Sequence, residues 1–442
     1  MRIPIALFAG AFLAQAQFTV QDAARAALAN HPSLDAAKAR VNAAGARVEQ
    51  AKGGWLPKVN YAESWQRSNN PVFVFSSLLT QRQFGAANFA IGRLNRPDFL
   101  NNFQSVLSVD QTVFDGGQTR GTIRAAEIAR TMSEEDRRAA EINAVASAVR
   151  AYYAVQLAEA NATAARQARE SAEADLERAR AVFEAGRSTE ADVLTVQVHA
   201  AAMREMEIRR TREREVAEAA LAEAVGRNFG EKFSLATPLT ALAVDDRPLE
   251  AFETKAMSER PEVRQAALSI RLSETQAATA RAVLLPQVAV RAQFEADRQD
   301  FINKGGANWF VGASLRWNLF NGFSDRARIS EASHLLAAAR KQEEQLRRAV
   351  GLDIRRAWAD LQSARERIEV STATVRQAEE SLRITQDRYA NGLATVTDLL
   401  RAETAASEAR TRRLAAMYEA RAAAVTLEQA AGTLTGDSDV LR

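Results

Sequence analysis

The sequence is internally duplicated: two halves of the chain carry the same short motifs in the same order. The segment from His31-Pro32 to Leu56-Pro57 is matched, 229 residues later at both ends, by Arg260-Pro261 to Leu285-Pro286. From Phe114 onwards the spacing is 206, and it is kept by the pairs Gly186 and Gly392, Asp192 and Asp398, Gly226 and Gly432. Because chance matches do not keep one register over such a stretch, both halves are predicted to fold alike.

Each copy is predicted to contain a helix, a strand, a loop, a strand, a long helix, a turn and a helix. The first repeat, 17–229, is expected to have strands at about 57–66 and 104–114 and helices at 117–183 and 189–226. The second repeat, 260–432, is expected to have strands at about 286–296 and 309–320 and helices at 323–388 and 395–431. Residues 230–259 are interpreted as an equatorial linker and residues 433–442 as a C-terminal tail.

The two long segments are free of proline and rich in alanine, arginine and glutamate, a composition typical of long helices. Ile142, Val145, Val149 and Tyr152 recur at spacings of three and four, which places them on one helix face. At a rise of 1.5 Å per residue, the helix 117–183 would be about 100 Å long. We therefore expect it to pack lengthwise in a bundle, covered by two shorter helices placed end to end.

The segments between the helices alternate apolar and polar side chains, as strands do. From Val311 to Leu319 one face is apolar and the other polar, whereas in the first strand Glu63 falls on the apolar face. Strands of about ten residues, apolar outside and polar inside, are typical of a transmembrane barrel. A sheet in water with one wet face has the same period and stays an alternative.

Four strands cannot close a barrel that has a lumen, and open sheet edges are not tolerated in lipid. Several chains must then contribute strands, and about three chains with twelve strands form the smallest suitable assembly. The 23 extra residues of the first copy lie between Val59 and Val106, near Asn69 to Phe99. As the longer hairpin loop, this insert is expected to be extracellular.

The N-terminus has the features of a signal peptide at residues 1–16: Arg2, an apolar run to Leu13, and the small-x-small site Ala14-Gln15-Ala16. A buried first helix is the alternative. Beyond residue 16 no run of about 18 apolar residues predicts a transmembrane helix. The chain has no cysteine, so disulfides and thiolate metal sites are excluded.

Charge and motifs argue against nucleic-acid binding and catalysis. The net charge is +3, from 58 basic and 55 acidic residues that are mixed along the helices, so no basic face is predicted for nucleic acid. His31, His199 and His334 are far apart, and neither a phosphate-binding loop nor a dinucleotide motif is present. We expect no catalytic site, no cofactor and no metal, and interpret His199 and His334 as surface or packing residues.

The duplicated order, the Leu-Pro pairs before the strands, the Phe-Asp/Asn-Gly turns and the paired turns Phe183–Leu194 and Tyr389–Leu400 resemble the outer-membrane efflux protein (TolC) family. The resemblance covers residues 20 to 432. It implies a mainly α-helical homotrimer, with a twelve-stranded β-barrel in outer-membrane lipid continued by an α-helical tunnel through the periplasm. It further implies a passive exit duct for a tripartite pump or a type I secretion system, without a catalytic site. The implied partners are a periplasmic adaptor and an inner-membrane transporter.

The resemblance also assigns roles to the two helix-hairpin turns. Adaptor docking is expected at Gly186, Thr189, Gly392 and Thr395, and a pore-constricting ring of carboxylates at Asp192 and Asp398. The same residues fit ordinary helix capping, with glycine ending one helix and threonine and aspartate starting the next. The chain departs from some family members in having Ala394 and Arg401, so their gate salt bridges and cation selectivity are not carried over.

Two other interpretations stay open. A periplasmic adaptor or scaffold without a membrane segment would also use hairpins of long helices, but its β-domain would need many short strands, and each copy here offers two. A cytoplasmic structural protein would require that residues 1–16 are not a signal peptide. The cargo is not encoded in any motif, and drugs, metal ions, metabolites and proteins are all compatible with such a duct.

Overall fold

The structure is a computed structural model that describes residues 17–240, 247–302 and 305–441. The predicted signal peptide, 1–16, lies outside the described residues. The helices of the first half are α1 (Val20–Asn30), α2 (Pro32–Lys52), α3 (Pro71–Thr80), α4 (Ile91–Asn95), α5 (Gln118–Glu184) and α6 (Glu190–Ala224). The helices of the second half are α7 (Leu249–Glu259), α8 (Pro261–Ala282), α9 (Ser324–Ala390) and α10 (Val396–Ala431). The strands are β1 (Lys58–Ser68), β2 (Leu100–Phe114), β3 (Gln287–Arg298) and β4 (Gly306–Arg316).

Helix α7 lies in the segment that was interpreted as a linker. Its limits, Leu249 and Glu259, are those of α1 shifted by 229 residues, the spacing found between the flanking motifs. Ala27 and Ala256 hold matched positions and are both fully buried. The segment interpreted as a linker therefore contains a helix that matches α1 in position and length.

In the described ranges, no helix combines the length and the apolar character that crossing a membrane requires.

The four strands form one antiparallel sheet in the order β1-β2-β3-β4. The strand expected at 309–320 is displaced, because β4 begins at Gly306 and ends at Arg316. Arg316 pairs with Gln287, the first residue of β3, so β4 has no partner beyond that point. The chain leaves the ladder there, and the Trp317 indole N–H donates to the Leu284 carbonyl oxygen over 3.1 Å. Likewise β2 starts at Leu100, four residues before the expected strand, because it pairs with Ser68 at the end of β1.

The register places polar side chains on one face of the sheet and mostly apolar ones on the other. Paired positions on the polar face include Ser108 with Gln293 and Asp110 with Arg291, whereas Leu107 with Phe294 and Phe294 with Trp309 lie on the apolar face. The predicted alternation is confirmed. The face is not uniformly apolar, because Glu63 and Arg298 lie on it and form an ion pair of 2.7 Å.

The insert between β1 and β2 contains two short helices where the sequence predicted a loop. Asn70 caps α3, since its Oδ1 accepts from the amides of Val72 and Phe73. At the end of α3 the buried Gln81 donates to the Asn101 carbonyl oxygen and to Asn102 Oδ1, both over 2.9 Å. These bonds fix the insert to the outer end of β2.

Contacts between Cα atoms divide the chain into two compact units that do not follow the repeats. One unit takes residues up to 40 together with 134–266 and 343–442, and the other takes 41–133 and 267–342. The first unit has its main core around Tyr152, whose hydroxyl donates to the Phe18 carbonyl oxygen over 3.0 Å and accepts from the Thr237 amide over 2.9 Å. A matching core surrounds Phe252 of α7 and Ile354 of α9. The division of the chain into repeats at 229 and 260 stays a prediction.

Candidate gate and docking site at the helix-hairpin turns

The turn between α5 and α6 is closed by a glycine followed by a capping box. Gly186 has a φ of 68°, its amide donates to the Phe183 carbonyl oxygen, and the Arg187 amide donates to the Val182 carbonyl oxygen. Both bonds satisfy carbonyl groups that the end of a helix leaves free. Three residues later Thr189 caps α6: its Oγ1 accepts from the Asp192 amide over 3.3 Å, and Asp192 Oδ2 accepts from the Thr189 amide over 3.1 Å.

The turn between α9 and α10 repeats this arrangement. Gly392 has a φ of 73°, and Thr395 and Asp398 exchange the same two capping bonds, of 3.2 and 3.1 Å. Nothing lies within 4 Å of the position where a Cβ on Gly186 or Gly392 would stand. The left-handed backbone, and not crowding, is therefore what selects glycine at both turns.

The hydrogen bonds of the capping boxes keep both aspartates charged. Bonds from the side chain and then the backbone of Thr189 hold the pKa of Asp192 below its ordinary value. Thr395 acts in the same way on the pKa of Asp398, and Arg401 and Arg388 lower it further. Each aspartate is thus a fixed negative charge one turn inside its helix.

A small apolar cluster, which we call the tip core, joins the two hairpins just behind the turns. Ala179 of α5, Val196 of α6 and Val396 of α10 are buried in it, and Tyr389 of α9 packs against them. The structure therefore brings together the two turns that the sequence marked as related, although 206 residues separate them along the chain.

Three titratable side chains beside the tip core were not identified as a site from the sequence. They are Asp175 on α5, His199 on α6 and Glu403 on α10, with side-chain exposures of 12%, 15% and 13%. The duplication carried a signal for them, because their counterparts 206 residues away are Ser381, Ala405 and Gln197, none of them charged. The repeat is thus broken at three positions that lie close together in space. This indicates that the three side chains are needed where one hairpin packs against the other.

In the described residues no group of three or more His, Asp or Glu side chains is placed to hold a metal ion.

The model of the family described as outer membrane efflux protein matches residues 23–227 and 254–433. The chain belongs to this family. The Protein CyaE of Bordetella pertussis is 28% identical over 422 residues, which cover 92% of this chain and 82% of CyaE. The outer membrane efflux protein BepC of Brucella suis is 23% identical over 358 residues, covering 80% and 77% of the two chains. The solved CmeC outer membrane channel of Campylobacter jejuni superposes with a TM-score of 0.80 at 18% identity, covering all of this chain and 95% of CmeC.

Membership in the outer membrane efflux protein family makes this chain an outer-membrane channel that extends into the periplasm, and members of the family are channels. The four strands per chain fit a barrel built by three chains. The apolar face of the sheet then meets lipid and the polar face lines the lumen. The alternative of a periplasmic adaptor without a membrane segment is not supported, because the match covers both repeats together with their strands.

Proposed function

We propose that three copies of this chain form an exit duct whose periplasmic opening is set by the α5–α6 and α9–α10 turns. Six hairpin ends, two from each chain, would surround one axis. The observation that carries the proposal is the tip core, because it packs the two hairpins of one chain against each other, so that separating them disrupts this core. Opening would be a shift in population between packed and separated hairpins, driven by a partner that binds the separated state better.

The partner that fits this role is a periplasmic adaptor, which would contact Gly186, Thr189, Gly392 and Thr395. The turns offer exposed apolar side chains beside these residues: Leu194 is 54% exposed and Leu393 is 68% exposed. Both glycines leave open space above the backbone, so a partner helix could approach closely. The energy for transport would come from an inner-membrane transporter, since the proposed conduction is passive.

Asp192 and Asp398 are proposed to form the charged constriction. Three copies of each would place six carboxylates around the pore axis, which favours cations over anions. Arg401 lies one turn from Asp398 and lowers its pKa, so it partly neutralises this ring. We propose a weaker cation preference than a ring without arginine would give.

Docking is tested by Gly392→Glu in a host whose drug resistance depends on this channel. The bulky charged side chain should reduce the minimal inhibitory concentration toward that of the host without the channel, at equal amounts of protein in the outer membrane. Gly230→Glu is the matched control, because Gly230 also has a positive φ, of 91°, and open space at its Cβ position. Unchanged resistance in Gly392→Glu would remove this turn from the docking surface.

A further inference from the structure

Three titratable side chains from three helices face one another beside the tip core. His199 Nε2 of α6 lies 3.8 Å from a carboxylate oxygen of Glu403 on α10. On α5, Arg178 contacts Asp175 over 2.8 Å through Asp175 Oδ1. We call Asp175, His199 and Glu403 the tip triad. It joins both hairpins of the chain, because α5 and α6 belong to one and α10 to the other.

The triad has little positive charge to balance its two carboxyl groups. Arg178 is the cation that acts on both, and its side chain is 63% exposed, so water weakens its field. From α9, the phenol of Tyr389 faces the triad, and burial followed by the charges of Asp175 and Asp192 raises its pKa. With Tyr389 neutral, two ionised carboxylates would repel each other across the hairpin interface.

One oxygen of the triad needs a donor. Asp175 Oδ2 is buried, and within the described residues it has no hydrogen-bond partner. A buried acceptor without a partner is unfavourable, because it has lost its hydrogen bonds to water. A proton on the Glu403 carboxyl, which lies within hydrogen-bonding reach of Asp175, would satisfy it.

We propose that Asp175 and Glu403 share one proton. This shared proton, which we call the clasp, holds the two hairpins together at the tip, and its loss weakens their packing. The proposal rests on the gating role proposed above. In this proposal the periplasmic pH regulates opening of the gate, in addition to adaptor binding.

The direction of the pH effect follows from the two buried groups. Burial, and then Asp175, raises the pKa of Glu403 to about 7, so the packed tip binds a proton that separated hairpins would release. The stabilisation by this proton is therefore full below the ordinary pKa of 4.5 and is lost as the pH rises from there through about 7. Burial also lowers the pKa of His199 from 6.5, so packing favours the neutral imidazole and becomes less favourable as the pH falls below 6.5. The tip should be tightest in a mildly acidic window.

The clasp is tested by conductance in planar bilayers between about pH 5.5 and 8.5. The wild-type channel should conduct more as the pH rises, with a midpoint near 7 set by Glu403. Glu403→Gln keeps a donor for Asp175 and cannot ionise, so its conductance should stay low and should not change between about pH 6.5 and 8.5, where His199 is neutral. Glu408→Gln is the control, because Glu408 lies on the same helix with a 62% exposed side chain, paired with Arg412. A wild-type transition retained in Glu403→Gln would overturn the proposal.

A second measurement does not depend on conduction. The chain has no cysteine, so spin labels can be attached to Arg187→Cys and Asn391→Cys, one on each turn. The shortest distance between labels should lengthen or broaden above pH 7 in the wild type and stay fixed with Glu403→Gln. With Asp175→Asn the response should be smaller than in the wild type, because the repulsion is removed while the buried Glu403 can still ionise. Asp175→Asn is the second variant if Glu403→Gln does not fold. Label distances that do not change with pH would overturn the clasp. If the distances change with pH but the channel never conducts, only the proposed conduction would be overturned.

Discussion

Arg298 and Glu63 form an ion pair of 2.7 Å on the face of the sheet that meets lipid. Ser105 lies between them and accepts from Arg298 over 2.7 Å, and the Tyr61 hydroxyl donates to Glu63 over 2.8 Å. The pair crosses three strands, since Glu63 is on β1, Ser105 on β2 and Arg298 on β3. It accounts for the acidic residue that interrupts the apolar pattern of the first strand.

Removing one partner of this pair should destabilise the channel more than removing both. Glu63→Ala leaves the guanidinium of Arg298 facing lipid without its counter-ion, and an unpaired charge there is unfavourable. We expect the unfolding temperature of Glu63→Ala in detergent to fall by several degrees, and the double variant Glu63→Ala/Arg298→Ala to recover part of the loss. Equal effects of the single and double variants would mean that the pair does not stabilise the sheet.

Two other glycines differ from those of the turns in having no room for a side chain. Gly226 and Gly432 end α6 and α10 with φ values of 68° and 72°. A Cβ would stand 2.5 Å from the Asn30 carbonyl oxygen at Gly226 and 2.6 Å from the Arg260 Cα at Gly432. Both contacts are with backbone, which cannot yield as a flexible side chain would.

Alanine should therefore be more harmful at these sites than at the turns. The left-handed backbone contributes about 1–2 kcal/mol, and the clash adds about 1–3 kcal/mol, so Gly226→Ala and Gly432→Ala should lose about 3 kcal/mol. Gly186→Ala meets open space and should lose about 1 kcal/mol. Thermal unfolding monitored by circular dichroism measures the order of the three variants. A loss at Gly186 as large as at Gly226 would contradict the crowding argument.

Most of the fold was predictable from three features of the sequence: the internal repeat, the helical spacing of apolar residues by three and four, and the alternation of apolar and polar residues in the strands. The limits of α5, α6, α9 and α10 were predicted to within two residues, because proline-free amphipathic segments and glycine-threonine turns are local signals. Helix α7 was missed because its sequence shares little with α1 besides Ala27 and Ala256. Helix α3 was missed because a short apolar run such as 71–80 has no clear period.

The turns could be predicted as a site, whereas the tip triad could not. Gly186 and Thr189 form their turn from neighbours in sequence, so the motif contains the geometry. Asp175 and Glu403 are separated by 228 residues, and their contact depends on the rotation of α5 against α10. Single-sequence patterns place a residue on a helix face but do not say which face of another helix it meets.

The insert should depend on Gln81 for its attachment to the sheet. Gln81 is 2% exposed and donates to Asn102 Oδ1, and Asn102 Nδ2 donates to Asp297 Oδ1 over 2.7 Å. Gln81→Leu removes the donor and leaves a buried acceptor unpaired, which should cost about 2 kcal/mol. Limited proteolysis should then cut the segment 71–95 faster, whereas Gln83→Leu, at an exposed position, should not change the rate. Equal cleavage in both variants would mean that other contacts hold the insert.

Asp398 should contribute fixed charge to the constriction at all physiological pH values, in contrast to Glu403. Thr395 lowers the pKa of Asp398 below its ordinary 3.8, through its side chain first and its backbone second. The charged form therefore stabilises the cap above that value, and the stabilisation is lost only as the pH falls through the lowered pKa. In the Glu403→Gln background, in which the tip does not open with pH, block of the channel by a multivalent cation should accordingly stay constant between about pH 6.5 and 8.5.

The variant that isolates this charge is Asp398→Asn, because the asparagine oxygen can still accept from the Thr395 amide. Cation block in planar bilayers should weaken in this variant while the helix cap persists. Asp387→Asn is the matched control, since Asp387 is a 67% exposed carboxylate on α9, paired with Arg383 over 3.1 Å. The cation should block this variant as strongly as it blocks the wild-type channel. If Asp398→Asn is blocked as strongly as its control, Asp398 does not face the pore, and the constriction must be formed by other side chains of the turns.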